Sequence, residues 1–243
     1  SQIYVLNRTN LYAGAFNDGR ILTLANDASG VAGFEIPAVT LDDTQTNLFL
    51  LQSVRTNFNT RLRLFSITGA IGSETLNTNL GYFVVSTNDA WDFQPPNRID
   101  FARQAGITNQ IQTGDARLQN VVYRNGSLWC AHTIFLPAGG SATRSSVQWW
   151  EINPSGNIIE QRGRVDDSSG VIFLAYPSLA VNRFNDVMLG YSLFSSNVYA
   201  SAAYNFHAFS DPGDAMRGSV SYRAGDGPYF KTFSGTQNRW GDY

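Results

Sequence analysis

A strand–turn–strand pattern of apolar and polar residues recurs three times along this chain. It reads IPAVTLDDTQTNLFLLQS at 36–53, ARLQNVVYRNGSLWCAHT at 116–133 and YPSLAVNRFNDVMLGYS at 176–192. After each copy a further apolar run predicts one more strand, at 62–69, 146–153 and 197–206. Short apolar runs separated by turn residues are typical of β-strands. Antiparallel units that repeat along one chain predict an all-β fold, and specifically a β-propeller.

The length and the turns refine this prediction. At about 40–50 residues per blade, the 243 residues predict about five blades of three to four strands. No Pro-rich run, charge block or low-complexity tract divides the chain, so we expect a single domain over 1–243. Asn125-Gly126 predicts a type I′ hairpin turn. The chain stops just after the turn-like Gly241-Asp242, so we expect either that the propeller continues beyond it or that a partner segment closes it.

The stretch 86–113 interrupts the repeat. It contains WDFQPPNRIDFARQAG, and its adjacent prolines cannot lie within a central strand. We expect a long loop across one face, packed by Trp91, Phe93 and Phe101. Loops of this length in compact domains are often functional.

Charge and hydropathy narrow the range of partners. The net charge of −2 argues against nucleic acid, because phosphate binding requires a concentrated basic surface. No apolar stretch approaches the length of a transmembrane helix, so we expect no membrane insertion. The 17 basic residues include a single lysine, and Asn, Ser and Thr are plentiful. This composition fits an exported protein, secreted or at the cell surface, with a glycan or another extracellular protein as its partner.

Several residues are candidates for ligand binding. Asp115 and Arg117 precede a predicted strand and could project into a central channel; alternatively, Asp115 caps its own turn and pairs with Arg117. Arg239 and Asp242 admit the same two interpretations. In Trp149-Trp150 adjacent rings face opposite ways on a strand. One of them, for which we select Trp150, could stack on a sugar ring, and packing between neighbouring blades is the alternative.

No catalytic or metal-binding set is recognisable. Cys130 is the only cysteine and lies in the apolar run LWCAH, which predicts a buried, unreactive thiol. His132 and His207 are the only histidines and lack the spacing of metal ligands. We therefore predict no catalytic residues, no metal and no cofactor.

Four segments together resemble exported bacterial β-propeller proteins of the sialidase-like type. They are GDARLQNVVYRNGSLWCAH, SSVQWWEI, YPSLAVNRFNDVMLGYS and RWGDY. The resemblance implies a propeller over most of the chain and a binding surface at the channel mouth. It does not imply sialidase chemistry, because the Ser-x-Asp-x-Gly-x-x-Trp turns of those enzymes are absent. Those enzymes also bind the substrate carboxylate with three arginines, and this chain has Arg117, Arg223 and Arg239 in suitable loops.

Three functional hypotheses follow. The first is a non-catalytic exported propeller that acts as a binding module, with carbohydrate as one class of ligand, or as a structural surface module. The second is a sialidase-like glycoside hydrolase with its site at the channel mouth. The third is a subunit of an extracellular assembly, in which a neighbouring chain supplies a strand by β-augmentation.

Overall fold

The computed structural model describes residues 2–15, 19–24, 35–42, 44–54, 61–78, 80–84, 89–232 and 235–241. Within these residues the fold is all-β, as the sequence predicts. A hairpin of β1 (Gln2–Val5) and β2 (Arg20–Thr23) comes first, with the one-turn helix α1 (Arg8–Tyr12) between its strands. Asn7 caps this helix, because its side-chain oxygen accepts hydrogen bonds from the backbone N–H groups of Thr9 and Asn10.

Three larger antiparallel units follow the hairpin. Unit 1 contains β3 (Ile36–Thr40), β4 (Leu48–Ser53), β5 (Arg61–Thr68), β6 (Thr75–Asn77) and β7 (Tyr82–Val84). Unit 2 contains β8 (Leu118–Arg124), β9 (Ser127–Leu136), β10 (Arg144–Asn153) and β11 (Ile158–Val165). Unit 3 contains β12 (Ile172–Val181), β13 (Val187–Ser195), β14 (Val198–His207) and β15 (Val220–Arg223). These are the three copies of the repeated pattern. The described residues form three such units and one hairpin.

Strand β3 belongs to two units. At Ile36 and Pro37 it pairs antiparallel with β4, and from Ala38 to Thr40 it pairs parallel with β8. Units 1 and 2 therefore form one continuous nine-stranded sheet, with β11 at one end of its strand order and β6 at the other. Elsewhere among the described strands every pairing is antiparallel.

Apolar clusters join the units face to face. One cluster lies between units 1 and 2 and includes Leu51, Leu64 and Trp150. A second lies between units 2 and 3 and includes Trp149 and Leu189. The β1–β2 hairpin packs in the same way on the other face of unit 1. Each sheet therefore buries its apolar side on its neighbour.

Unit 2 lies in the middle of this stack, which explains its sequence. Every residue of β9 is buried, because alternate side chains enter the clusters on the two faces. The SLWCAHTIFL run is therefore predominantly apolar on both faces instead of alternating between apolar and polar residues. By contrast, every residue of β15 at the edge of unit 3 is exposed.

Two local predictions are confirmed. Asn125 and Gly126 have φ values of 48° and 90°, the left-handed pair that a type I′ turn requires between β8 and β9. Trp91, Phe93 and Phe101 are all buried, so the long segment before β8 is packed by the aromatic residues named for it. Phe101 meets Phe135 and Phe173 edge to face at 5.7 and 5.6 Å between ring centroids.

Candidate functional site

A polar cleft of about 520 Å³ lies where β3 and β8 begin and beside the middle of β12. Ile36 opens β3, Leu118 opens β8, Tyr176 lies in the first half of β12, and all three line the cleft. The loop before β8 and the last residues of the chain complete its wall. Its polar lining consists of Gln94, Gln112, Asp115, Arg117, Gln119 and Gln237. We call this site the polar cleft.

Asp115 and Arg117 form a local ion pair in the wall of the polar cleft. Oδ1 of Asp115 accepts a hydrogen bond from the backbone N–H of Arg117 at 3.1 Å and another from its Nε at 2.7 Å. The aspartate therefore closes a turn over two residues and pairs with the guanidinium. The sequence left open whether Asp115 caps its own turn and pairs with Arg117 or projects into a channel. The structure shows the local pair, and both residues also line the polar cleft. It contributes hydrogen-bonding groups with no net charge.

Tyr176 is held in an uncommon backbone conformation beside this pair. Its φ is 53°, in the left-handed region that a bulky residue rarely adopts. A β-bulge between Ala175 and Ser178 accommodates it. Its backbone N–H donates to Oγ1 of Thr133 at 3.0 Å, and its hydroxyl donates to the carbonyl of Gln112 at 3.1 Å. Backbone strain of this kind is concentrated at functional sites.

Glycine at position 241 allows the end of the chain to approach this ring. A Cβ there would lie 2.7 Å from Cγ of Tyr176, closer than side chains pack, and Gly241 also has a φ of 71°. Only glycine therefore fits against the face of the tyrosine. This contact places residues 237–241 beside the loop that contains Gln112.

Buried amides fix the last segment to the long loop before β8. The Asn238 side chain donates to the carbonyls of Gln110 and Tyr229 at 3.1 and 2.9 Å and accepts from the Lys231 N–H at 2.8 Å. Its own backbone N–H donates to Oδ2 of Asp100 at 2.6 Å. Both N–H donors and the oxygen of the Asn238 side-chain amide are engaged, so this wall of the polar cleft is preorganised.

Asp100 lies in an adjoining groove that shares Ile99 and Gln237 with the polar cleft. Burial raises the pKa of its carboxyl group, and the hydrogen bond from the Asn238 N–H opposes that rise. Oδ1 of Asp100 is buried and has no hydrogen-bond partner among the described residues. A partly desolvated carboxyl group therefore lies at the edge of the polar cleft.

Trp150 does not reach any ligand, which corrects its assignment as a binding residue. Trp149 and Trp150 do face opposite sides of β10, but unit 3 covers the first and unit 1 covers the second. Their side chains are 1% and 0% exposed. The alternative of packing between sheets is the one observed. Trp150 instead donates from Nε1 to Nε2 of His132 at 3.1 Å.

The other named arginines do not converge on the polar cleft. Arg223 lies on β15 and pairs with Asp226 at 2.9 Å on an exposed surface. Arg239 is exposed and donates its backbone N–H to the Lys231 carbonyl, and it is not among the lining residues. Asp242 lies outside the described residues. Only Arg117 of the three arginines therefore faces the polar cleft, and the structure gives no support for an arginine triad.

Cys130 and His132 are both completely buried. Burial raises the pKa of the Cys130 thiol and lowers the pKa of His132 to about 3. Neither side chain can therefore reach a substrate. Within the described ranges no group of three or more His, Cys, Asp or Glu side chains is arranged to hold a metal ion. No helix in that part of the chain is long and apolar enough to cross a membrane.

Sequence reasoning missed most of the residues that line the polar cleft. The four glutamines are isolated in the sequence, and none belongs to a motif. Tyr176 precedes a proline, which favours an extended backbone, so no local signal pointed to its left-handed conformation. Comparison with protein-family models, with curated proteins and with solved structures finds no match.

Proposed function

We propose that this protein is a non-catalytic, exported binding module of the β-propeller class whose polar cleft binds a neutral saccharide. The observation that carries the proposal is the chemistry of the lining: four glutamine amides, a charge-balanced Asp115–Arg117 pair and one tyrosine ring. An amide carries both donors and an acceptor, and Gln112 and Gln237 already share one hydrogen bond of 3.2 Å. Sugar hydroxyl groups also donate and accept hydrogen bonds. They therefore match an amide-lined cleft better than a ligand group that can only donate or only accept.

The charge balance argues against strongly charged ligands. The only arginine in the lining is already paired with Asp115 at 2.7 Å. An anionic sugar would need cationic side chains that are not committed to such pairs. A strongly cationic ligand would find one carboxylate in the lining, and Arg117 already holds it. The neutral saccharide is therefore the preferred class.

The propeller class is supported by the stacking of the units and by the position of their first strands. β3 and β8, the first strands of units 1 and 2, run in the same direction, as the innermost strands of successive blades do, but they also hydrogen-bond to each other, which the strands of separate blades do not. The polar cleft lies at the start of these strands, which in a propeller corresponds to one mouth of the central channel. Export is supported by composition alone, through the scarcity of lysine and the abundance of Asn, Ser and Thr.

A glycoside hydrolase at the same place is the second candidate, and Asp100 favours it. Burial raises the pKa of Asp100, which is the property required of a general acid, and Asp115 lies in the neighbouring wall. Hydrolysis of aryl glycosides distinguishes the two functions. Measurable release of the aryl group that is abolished by Asp100→Asn would establish the hydrolase and reject the non-catalytic module.

The binding proposal is tested on a glycan array with two matched variants. Arg117 and Arg223 each pair with a nearby aspartate, but only Arg117 lines the polar cleft. We expect wild-type protein to bind neutral glycans and Arg117→Gln to weaken binding by about 10-fold or more, the value of a hydrogen bond to a charged group. Arg223→Gln should bind like the wild type. Equal losses in both variants, or no binding by the wild type, would reject the polar cleft as the site.

A further inference from the structure

A second pocket opens between units 2 and 3, at the opposite end of the strands from the polar cleft. It has a volume of about 230 Å³, and its lining includes Trp129, Glu151, Glu160, His207 and Phe209. No residue lines both cavities. Trp129 pairs with Val122 near the end of β8, whereas the polar cleft lies at the beginning of that strand. We call this second site the acidic pocket.

The two glutamates of the acidic pocket come together through an irregularity in the sheet. The pairing of β10 with β11 shifts register between Glu151 and Ile152. Glu160 is left without a partner residue on β10 at this shift, and such a bulge redirects side chains. Gln161 donates to Oε2 of Glu151 at 2.7 Å, and Asn153 donates to Oε1 of Glu160 at 3.0 Å.

These two carboxylates form no ion pair among the described residues, and the His207 ring lines the same pocket. A third acid of the lining, Asp211, is neutralised by Arg217 through two hydrogen bonds of 2.8 and 2.9 Å. Within the part of the chain that the structure describes, neither Glu151 nor Glu160 forms an ion pair. Burial is the main cause that raises the pKa of Glu151, and the charge of Glu160 adds to it, whereas hydrogen bonds from Gln161 and Ser127 and the charge of His207 oppose the rise. The pocket therefore presents acceptors that external donors would stabilise.

Trp129 supplies an independent indication of a ligand. Its side chain is 1% exposed, and its ring stacks on Trp149 at 6.4 Å between centroids, so the indole is held firmly. Its buried Nε1–H has no hydrogen-bond partner among the described residues. A buried donor left unpaired is costly, and Trp129 lines the acidic pocket. A ligand of this pocket would therefore need an acceptor for the indole N–H of Trp129 as well as donors for the two glutamates.

Chemistry selects the class of ligand. A cation can donate to Glu151 and Glu160 but cannot accept from the Trp129 indole. An anion can accept from the indole but is repelled by both glutamates. A hydroxyl group does both. At the rim, the Phe209 ring is 71% exposed and offers an apolar face to the C–H side of a sugar ring.

We propose that the acidic pocket is a second binding site, for one neutral pyranose whose hydroxyl groups donate to Glu151 and Glu160 and accept from the indole N–H of Trp129. The site is separate from the polar cleft and does not depend on the function proposed for it. The pocket is small, so it accommodates a single ring. A protein with both sites contacts saccharides at both ends of its strands.

The test follows the indole N–H resonances of the protein by nuclear magnetic resonance. The five tryptophans give five such signals, and Trp129→Phe identifies the one of interest. The probes are methyl α-D-glucopyranoside, methyl α-D-galactopyranoside and methyl α-D-mannopyranoside, each titrated to its solubility limit. We expect at least one probe to move the Trp129 signal saturably downfield, because the indole gains an acceptor.

Four variants at exposed positions test the site: two should weaken binding and two serve as controls. Glu160→Gln should weaken the effect of the probe by about 10-fold, and Phe209→Ala should also weaken it. Phe184→Ala removes another exposed phenylalanine that does not line the pocket and should leave the titration unchanged. Arg117→Gln should also leave it unchanged, which separates this site from the polar cleft.

Three outcomes would overturn the proposal. The first is a Trp129 signal that no pyranoside moves. The second is a shift that Glu160→Gln and Phe209→Ala leave intact. The third is a saturable shift with methylammonium and none with the sugars, which would assign the pocket to a cationic ligand. These three outcomes are independent of whether the polar cleft binds glycans.

Discussion

Protonation of His132 should destabilise the fold as the pH falls. The ring is 0% exposed and lies parallel to Trp150, with 6.2 Å between ring centroids, and edge-on to Trp91 at 5.1 Å. Nε2 of His132 accepts the indole N–H of Trp150 at 3.1 Å, so that nitrogen carries no proton in the fold. Protonation would place a charge in the apolar cluster and remove the acceptor of Trp150.

The size of the effect follows from the pKa of His132. Burial is the main cause that lowers the pKa from 6.5 to about 3, and the positive charge of Arg164 adds to it. The unfolded chain therefore binds more protons than the folded one between these two pH values. The contribution of neutral His132 to the free energy of unfolding is complete above the ordinary pKa of 6.5. It is lost as the pH falls towards the pKa of about 3 in the folded protein. At about 1.4 kcal/mol per pKa unit, lowering the pH from about 7 to about 5 should cost about 2 kcal/mol.

The assay compares urea unfolding of the wild type and of His132→Gln across this pH range. Glutamine can still accept from Trp150 but does not titrate, so we expect the variant to be less stable near pH 7 and to lose this disadvantage as the pH falls. The quantity compared is the difference in free energy of unfolding between the two proteins at each pH. This removes the effect of Asp100 and Glu151, whose raised pKa values make both proteins more stable as the pH falls. His207→Gln is measured alongside as the control for replacement of a histidine.

A difference between wild type and His132→Gln that stays constant between pH 7 and pH 5 would refute this reasoning. So would a ring signal of His132 in the folded protein that titrates near its ordinary pKa. Either result would mean that the ring is hydrated in solution. It would also mean that units 1 and 2 do not enclose it as tightly as their shared apolar cluster indicates.

Two further predictions concern other buried groups. The thiol of Cys130 should react with a thiol reagent only as fast as the protein unfolds, because the side chain is completely buried and burial raises its pKa; fast labelling of the native protein would contradict this. Asp92→Ala should lower the free energy of unfolding by about 2 kcal/mol, because the carboxylate accepts from the backbone N–H groups of Gly139 and Gly140 at 2.8 and 2.6 Å. Asp226→Ala, at an exposed ion pair, should change it by less than about 0.5 kcal/mol, and equal losses in the two variants would contradict the role of Asp92.

Turns and strands could be predicted from the sequence because neighbouring residues decide them. Asn125-Gly126 adopts the left-handed pair that only such residues tolerate, and the hairpin between β8 and β9 follows. The aromatic residues of the segment before β8 pack as expected, since apolar rings must be buried wherever that segment lies. The three units correspond to the three copies of the repeat for the same reason.

The local pairing of Asp115 with Arg117 could also be predicted, since the two residues are close along the chain. The position of this pair in the polar cleft could not. The cleft assembles side chains from positions 94, 112, 119, 176 and 237, which are far apart in sequence and share no motif. Long-range contacts bring them together: the Tyr176 hydroxyl donates to the carbonyl of Gln112, and the Gln112 side chain donates to Oε1 of Gln237. No local sequence pattern predicts these contacts.

The sequence by itself determined an all-β chain, the places of its strands and turns, and the absence of a recognisable catalytic motif. Tertiary structure alone decided which faces of those strands are covered. Trp150 shows the difference: alternation along β10 correctly separates it from Trp149, but a strand carries no information about whether a second sheet covers each of its faces. Units 1 and 3 cover both faces of unit 2, so neither tryptophan reaches solvent, and both proposed sites lie at the ends of the strands.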